Sequence, residues 1–379
     1  MSDISADAQP NRYLSPLLRR PGAAEFQEET AVDAAGVAWH YGDPLGEQRA
    51  VETSTVIVDR SHRIVIKVTG ADAPEFLNTL LSQKLDDAAA GFTAGALDLD
   101  IQGRILHHAD VLRTGDAFYL DVPAAQADSF QDFLSKMVFW SAVDIERTDL
   151  GILTLLGEGI DVPAELHDHA AFLREVDWRG APRRDLAIAR GQLDDSVDQL
   201  LAAGAVLGGL MTYTAERVRA LLPEKAADLD DKSIPHEVPE FIGRGDRPGA
   251  VHLNKGCYRG QETVGRVENL GRSPRLLVLL HLDGSAPRDP EPGDVISFNG
   301  RTVGRLGTVV HDRDFGPTAL GVVRRSALDA GELVITPADD SGRAPVSAAI
   351  DPDSIPTDEG DKAGREAIKR LRSGGENNI

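Results

Sequence analysis

The densest run of reactive side chains in this sequence is Asn254-Lys255-Gly256-Cys257-Tyr258-Arg259-Gly260-Gln261-Glu262. It sets an ammonium, a thiol, a phenol, a guanidinium, an amide and a carboxylate almost side by side. Gly256 and Gly260 bracket its centre. Glycines at that spacing permit positive φ and close backbone approach, so the run reads as a compact exposed loop and not a helix. The thiolate is the reactive form of cysteine, and Lys255 and Arg259 favour it if they point inward. The plain alternative is a turn made by the two glycines, with Cys257 as a small buried hydrophobe.

Two other clusters carry chemistry. His107 and His108 are adjacent in Gly103-Arg104-Ile105-Leu106-His107-His108-Ala109. A histidine can act as a base. Neighbours on a strand face opposite sides and no third ligand is evident, so no metal site is expected there. Arg217 and Arg219 could pair with an anionic group or form ion pairs on a solvated helix face.

Acidic residues outnumber basic ones by 61 to 40 in the 379 residues, for a net charge of −21. Such a surface repels phosphate backbones, so bulk nucleic-acid binding is not expected, nor is attachment to an anionic membrane. No run reaches the roughly 20 apolar residues that span a bilayer. The polar, acidic N-terminus has no signal core, and one unpaired cysteine suits a reducing compartment; a cytoplasmic protein is expected.

These groups need a scaffold. Ile64 to Val68 reads as a strand, and Asp72 can cap a helix carrying Phe76, Leu77, Leu80, Leu81 and Leu85. Strands follow at Ala94 to Leu99, Ile105 to Leu112 and Ala117 to Val122. A helix then presents Phe130, Phe133, Leu134, Met137 and Val138, and a strand at Ala142 to Glu146 closes the unit. A similar order recurs from Leu150, with strands at Leu150 to Leu156, Phe172 to Asp177 and Asp185 to Ala189. A helix is expected near Pro163 to His167, and Asp194 can cap another through Leu200 and Leu201. Beyond Arg272, short strands punctuated by Gly and Pro indicate a small antiparallel barrel. The expected architecture is α+β. It has a flexible N-terminus over 1–22, two α+β halves over 23–270, a C-terminal β-barrel over 271–347 and a flexible tail over 348–379.

K-G-C-Y-x-G-Q-E, here Lys255 to Glu262, resembles the signature of YgfZ-type proteins. These are relatives of the glycine-cleavage T-protein, whose own loop lacks the cysteine. The segments His40 to Val51, Val58 to Arg63 and Gly70 to Leu77 resemble the wider aminomethyltransferase-like superfamily. Gly208 to Pro223 resembles the segment near bound folate. The resemblance implies two ferredoxin-like-type halves forming a folate-binding module, with the barrel behind them. It implies tetrahydrofolate as cofactor, with Tyr213, Glu216, Arg217, Arg219 and Glu237 as candidate contacts. Lys255, Gly256, Cys257, Tyr258, Gly260, Gln261 and Glu262 form the signature loop, with Cys257 as the candidate catalytic residue. The partners implied are iron–sulfur enzymes or cluster-assembly proteins, tRNA-modifying enzymes among the clients. The chain cannot hold a conventional cluster itself, because that takes three or four thiolates.

Two departures from the pattern matter. Aminomethyltransferases carry an acidic residue in a segment reading like G-G-I-L-D-D-L, where this chain has His108. T-protein activity is therefore not expected. Arg219 stands where a glutamate anchors the pterin in family members, so either Glu216 or Glu237 supplies the carboxylate or folate binding is weakened. The rival reading is a folate-dependent one-carbon transferase in which Asp98, Asp100 or Asp110 replaces the missing acid.

Overall fold

The computed structural model describes residues 12–26, 31–270, 272–339 and 341–356. Its strands form two five-stranded sheets and a closed barrel. The first sheet runs Thr93–Leu99, Ile105–Arg113, Ala117–Val122, Ile64–Thr69, Asp144–Arg147, with every neighbour antiparallel. Residues two apart on a strand share a face. Ile66 with Val68 and Phe118 with Leu120 accordingly point together, toward the helices Ala73–Leu80 and Ala124–Lys136, where Leu77, Phe130 and Leu134 complete the core.

The second sheet runs Val206–Gly208, Val56–Asp59, Leu150–Leu156, Arg183–Ala189, Phe172–Glu175. Helix Leu193–Ala202 covers it, setting Leu193, Val197 and Leu200 against Leu153, Leu155, Leu186 and Ile188. Val56–Asp59 precedes all of the first sheet in the chain yet lies inside the second, pairing parallel with Val206–Gly208. The two halves are thus threaded together, where the sequence reading set them end to end. Neither strand left a pattern: Val56–Asp59 is buried at every position, so nothing alternates. The helix-free faces of the two sheets meet through Val65, Leu112, Ile152, Phe172 and Ala187.

The barrel order is Arg275–Leu282, Gly316–Arg324, Arg301–Asp312, Val295–Phe298, Leu333–Thr336, Val346–Ile350. The last strand pairs back onto the first. It was not anticipated, and the barrel therefore runs past residue 347, where the sequence reading closed it. Strand Arg275–Leu282 is apolar on both faces for a reason. Leu276, Val278 and Leu280 fill the barrel, while Leu277 and Leu279 pack with Met211, Ala215 and Val218 of helix Leu210–Arg219.

Three local expectations need correction. The N-terminal stretch is packed from its first described residues: Leu17 is buried, and the Ser15 hydroxyl donates to the Asp59 carboxylate. Residues 1–11 and 357–379 of the expected flexible ends lie outside the described residues. Asp72 and Asp194 do not cap their helices. Asp72 accepts from the Ala142 N–H at 2.7 Å, and Asp194 accepts from Arg20 Nε at 3.1 Å. Among the described residues no helix is long and apolar enough to cross a membrane.

Candidate functional site

Helix Ala73–Leu80 ends with carbonyls that have no partner within the helix. Lys255 meets that end. Its buried Nζ donates to the Asn78 and Leu81 carbonyls and, at 3.0 Å, to Gln83. The ammonium lies 4.8 Å from the Tyr258 ring centre. Burial pulls Lys255 down to about 8 and pushes the Tyr258 phenol up to about 12. Arg259 fixes the other side of the loop. It donates to the Leu99 carbonyl and to Asp98, and its guanidinium lies 4.7 Å from the Phe133 ring centre. Asp98 in turn bonds His107 Nδ1 at 2.8 Å, and His107 Nε2 bonds Ser129 Oγ at 2.8 Å.

Gly260 takes φ +83°, and a Cβ there would sit 2.8 Å from both the Asp100 carbonyl oxygen and Gly103 Cα. A side chain would push the loop off the strand turn. Gly256 differs from expectation: its φ is not positive, and an added Cβ would meet nothing within 4 Å. Gln261 and Glu262 do not belong to the loop but open the helix Gln261–Leu270.

Cys257 is exposed, which excludes the buried-hydrophobe alternative. Lys255 has spent its three donors on carbonyls, and Arg259 is turned to Leu99 and Asp98. Neither is the inward-pointing partner of the thiol that the sequence suggested. They hold the loop in place instead.

A cleft open to solvent, with a cavity volume of about 80 Å³, lies between the two sheets and the segment around 240–250. Strand Ile105–Arg113 turns His108 and Asp110 into it, while His107 faces the helix side. Trp178 and Phe241 supply aromatic walls, and the His108 ring lies 4.8 Å from Phe241. Burial pushes the His108 imidazolium down, so the ring is neutral near pH 7. Gly95 gives it room: a Cβ there would fall 3.2 Å from His108 Nε2.

Arg174 and Arg183 form the floor. They belong to a buried cluster in which Arg60, Arg63, Arg174 and Arg183 stand against Asp33, Asp110, Asp121 and Asp185. Arg183 reaches Asp185 at 2.6 Å and Asp110 at 3.4 Å; Arg63 reaches Asp121 at 2.7 Å. Burial alone would raise these carboxylates, but the facing groups outweigh it. Guanidinium groups hold Asp110 and Asp185 well below the usual carboxylate range, and His62, aided by Arg63, holds Asp33 at about 2. Four cations against four anions leave the cluster neutral. Its hydrogen bonding is nevertheless incomplete. Arg174 Nη1 and Arg183 Nη1 are buried with no hydrogen-bond partner among the described residues.

The comparisons with known proteins fit this geometry. Residues 275–357 match the family described as CAF17, C-terminal beta-barrel domain. The tRNA-modifying protein YgfZ of Cronobacter sakazakii is 26% identical over 282 residues, covering 70% of this chain and 83% of that protein. A mitochondrial iron-sulfur cluster assembly factor IBA57 homolog of Chaetomium globosum is 26% identical over 277 residues, covering 64% of this chain and 60% of that protein. The glycine cleavage system aminomethyltransferase T of Bartonella henselae superposes with a TM-score of 0.71 at 18% identity, over 88% of this chain and 94% of that one. The chain is similar to YgfZ-type proteins along most of its length and shares the T-protein fold.

Within that family frame, the expected folate contacts are mostly elsewhere. Arg217 is fully buried and ties its helix to the barrel, bonding Asp228 at 2.9 Å and Thr308 Oγ1 at 2.6 Å. Arg219 forks onto the Asp312 carboxylate of the barrel and so clasps its helix to that domain. Neither candidate replacement for that anchor is free. Glu216 accepts from Arg313 at 3.0 Å, and both Glu237 oxygens accept from Arg275 at 2.9 Å. Tyr213 stands behind the wall, its ring 6.0 Å from that of Trp178 and 4.1 Å from the Arg60 guanidinium. The residues that do line the cavity, Arg174, Arg183, Trp178 and Phe241, were missed. One signal was present. Arg183 and Asp185 share a strand face opposite Leu186 and Ile188, and a charged pair on a strand of that kind points to a polar interior.

Proposed function

We propose that this chain is an accessory protein that supports assembly or repair of iron–sulfur clusters in client enzymes, tRNA-modifying ones among them, and that it works in the cytoplasm. The observation that carries the reading is the exposed Cys257 on a loop pinned at both ends, by Lys255 to a helix terminus and by Arg259 to Asp98. A rigid, accessible thiol suits contact with a cluster held by another protein, or a mixed disulfide with it. The YgfZ and IBA57 relatives, a tRNA-modifying protein and an iron-sulfur cluster assembly factor, support the same direction.

Tetrahydrofolate is the ligand proposed for the cavity between the halves. Trp178 and Phe241 both line the cavity and favour an aromatic ring there, and Asp110 is a carboxylate of the same lining. Asp98 is committed to His107 and Arg259, and Asp100 accepts from backbone N–H groups of its own turn, so Asp110 alone of the three candidate acids lines the cavity. Three arginines hold it ionised and occupied, which makes it a poor proton acceptor and disfavours the one-carbon transferase rival. Titration calorimetry of the full chain with tetrahydrofolate tests the ligand. Saturable binding in the micromolar range supports the assignment, and no heat at millimolar ligand rejects it.

A further inference from the structure

Among the described residues, the three most exposed large apolar side chains are Trp140 at 98%, Ile101 at 76% and Phe139 at 72%. All three stand on elements that hold the signature loop. Ile101 lies in the turn against which Gly260 packs, where an added Cβ would meet the Asp100 carbonyl and Gly103. Phe139 and Trp140 follow the helix Ala124–Lys136, whose Phe133 ring lies 4.7 Å from the Arg259 guanidinium. Exposed Met137 is one helical turn beyond Phe133 and joins it to the two aromatic residues. An apolar stripe thus leaves the loop along this helix; seven residues at helical rise span roughly 10 Å. Phe139 also takes φ +41°, a strained conformation for a bulky side chain, and neither ring gains burial from it. Contiguous exposed apolar surface of this kind marks a contact site.

The charges around the stripe say what covers it. Asp128 holds Arg147, and Lys67 reaches Glu146 at 3.7 Å. That leaves exposed Asp72, Asp132 and Asp144 against Lys136, a negative rim. A second copy of this chain would bring like rims together at a two-fold contact, which disfavours it. The area points the same way. Two aromatic rings bury roughly 150–250 Å² each, well short of the roughly 800 Å² per partner of a stable complex. The stripe suits a transient partner of opposite charge. We infer that it is the docking surface for the iron–sulfur client, which meets it with an apolar patch rimmed by lysine or arginine, and that Trp140 is the anchor. Aromatic anchors of this kind carry much of the binding energy of an interface. This rests on the proposed function and deepens it, by naming the surface that brings a client to Cys257 and the chemistry of the client face.

Phe139→Asn with Trp140→Ser removes both rings without emptying the core, and asparagine tolerates the positive φ. The probe is the iron–sulfur enzyme whose activity falls most in a strain lacking this protein, purified with its cluster. Its affinity for the full chain is measured by anaerobic titration calorimetry. The double variant should keep the melting temperature of the parent and bind at least about tenfold more weakly. Asp132→Lys with Asp144→Lys should also weaken binding, most at low salt. Unchanged affinity in either variant overturns the inference while leaving the client role intact, and so does a parent chain that does not bind the enzyme. A dimer in sedimentation velocity that Trp140→Ser abolishes assigns the stripe to a second copy and overturns it too. A strain in which no iron–sulfur enzyme loses activity rejects the proposed function itself.

Discussion

The signature loop and the cavity are built on opposite plans. The loop is contiguous in sequence and exposed, and most of its side chains are spent on holding it still. Lys255 serves the end of one helix and Arg259 serves a strand, which leaves Cys257 facing outward. The cavity is dispersed and buried. Its floor draws Asp110 from the first sheet and Arg174 and Arg183 from the second, and no short motif contains them. A short motif can thus mark a reactive group while most of its residues do structural work. A binding floor can be strongly charged inside and leave only a charged pair on one strand face as its mark in the sequence.

The contrast can be broken most forcefully at the cluster. Asp185→Ala removes the carboxylate shared by Arg174 and Arg183 and leaves the buried cluster with one uncompensated cation. It should cost about 3–5 kcal/mol of stability, read from urea unfolding. A loss below about 1 kcal/mol would mean that the guanidinium groups find water or other partners. Lys255→Met keeps the aliphatic stem but leaves three buried carbonyls at and just beyond the helix end without their donor. Its expected cost is about 1–3 kcal/mol by the same assay. If Lys255→Met were neutral in stability yet inactive, the lysine would be chemical and not structural.

Acid should act through the cavity. Burial holds His108 below its ordinary value, so the unfolded chain takes up the proton first. His108 therefore contributes stability above about pH 6.5 that is lost as pH falls through the folded pKa. Thermal melts between pH 7.5 and 5 should show a shallower decline for His108→Gln than for the parent chain, and parallel curves would contradict this. Cys257→Ser should be the mildest change, within about 0.5 kcal/mol of the parent, because the thiol is exposed.

Much of the scaffold was legible through β-branched runs and the turns between them. Strands such as Ile64–Thr69 and Ala117–Val122 could be read this way although helices cover one face and the second sheet packs on the other. Val56–Asp59 and Val206–Gly208 escaped because they are short and central, and with them went the threading of the two halves. The loop was legible through its glycines and reactive types, although only Gly260 needs its conformation. The partners of Arg217, Arg219, Glu216 and Glu237 were not legible. Each is paired across a long stretch of chain, to the barrel or its first strand, and a charge on a helix looks the same whether it faces solvent or a distant carboxylate.

The central claim is that the pinned loop exists to present one thiol to iron–sulfur clients. The direct measurement is iron–sulfur enzyme activity in a strain lacking this protein, complemented at equal abundance with the parent chain or with Cys257→Ser. Restoration by the parent and failure by the folded Cys257→Ser chain is the predicted result. Full restoration by Cys257→Ser would contradict it and move the function from the loop to the cavity.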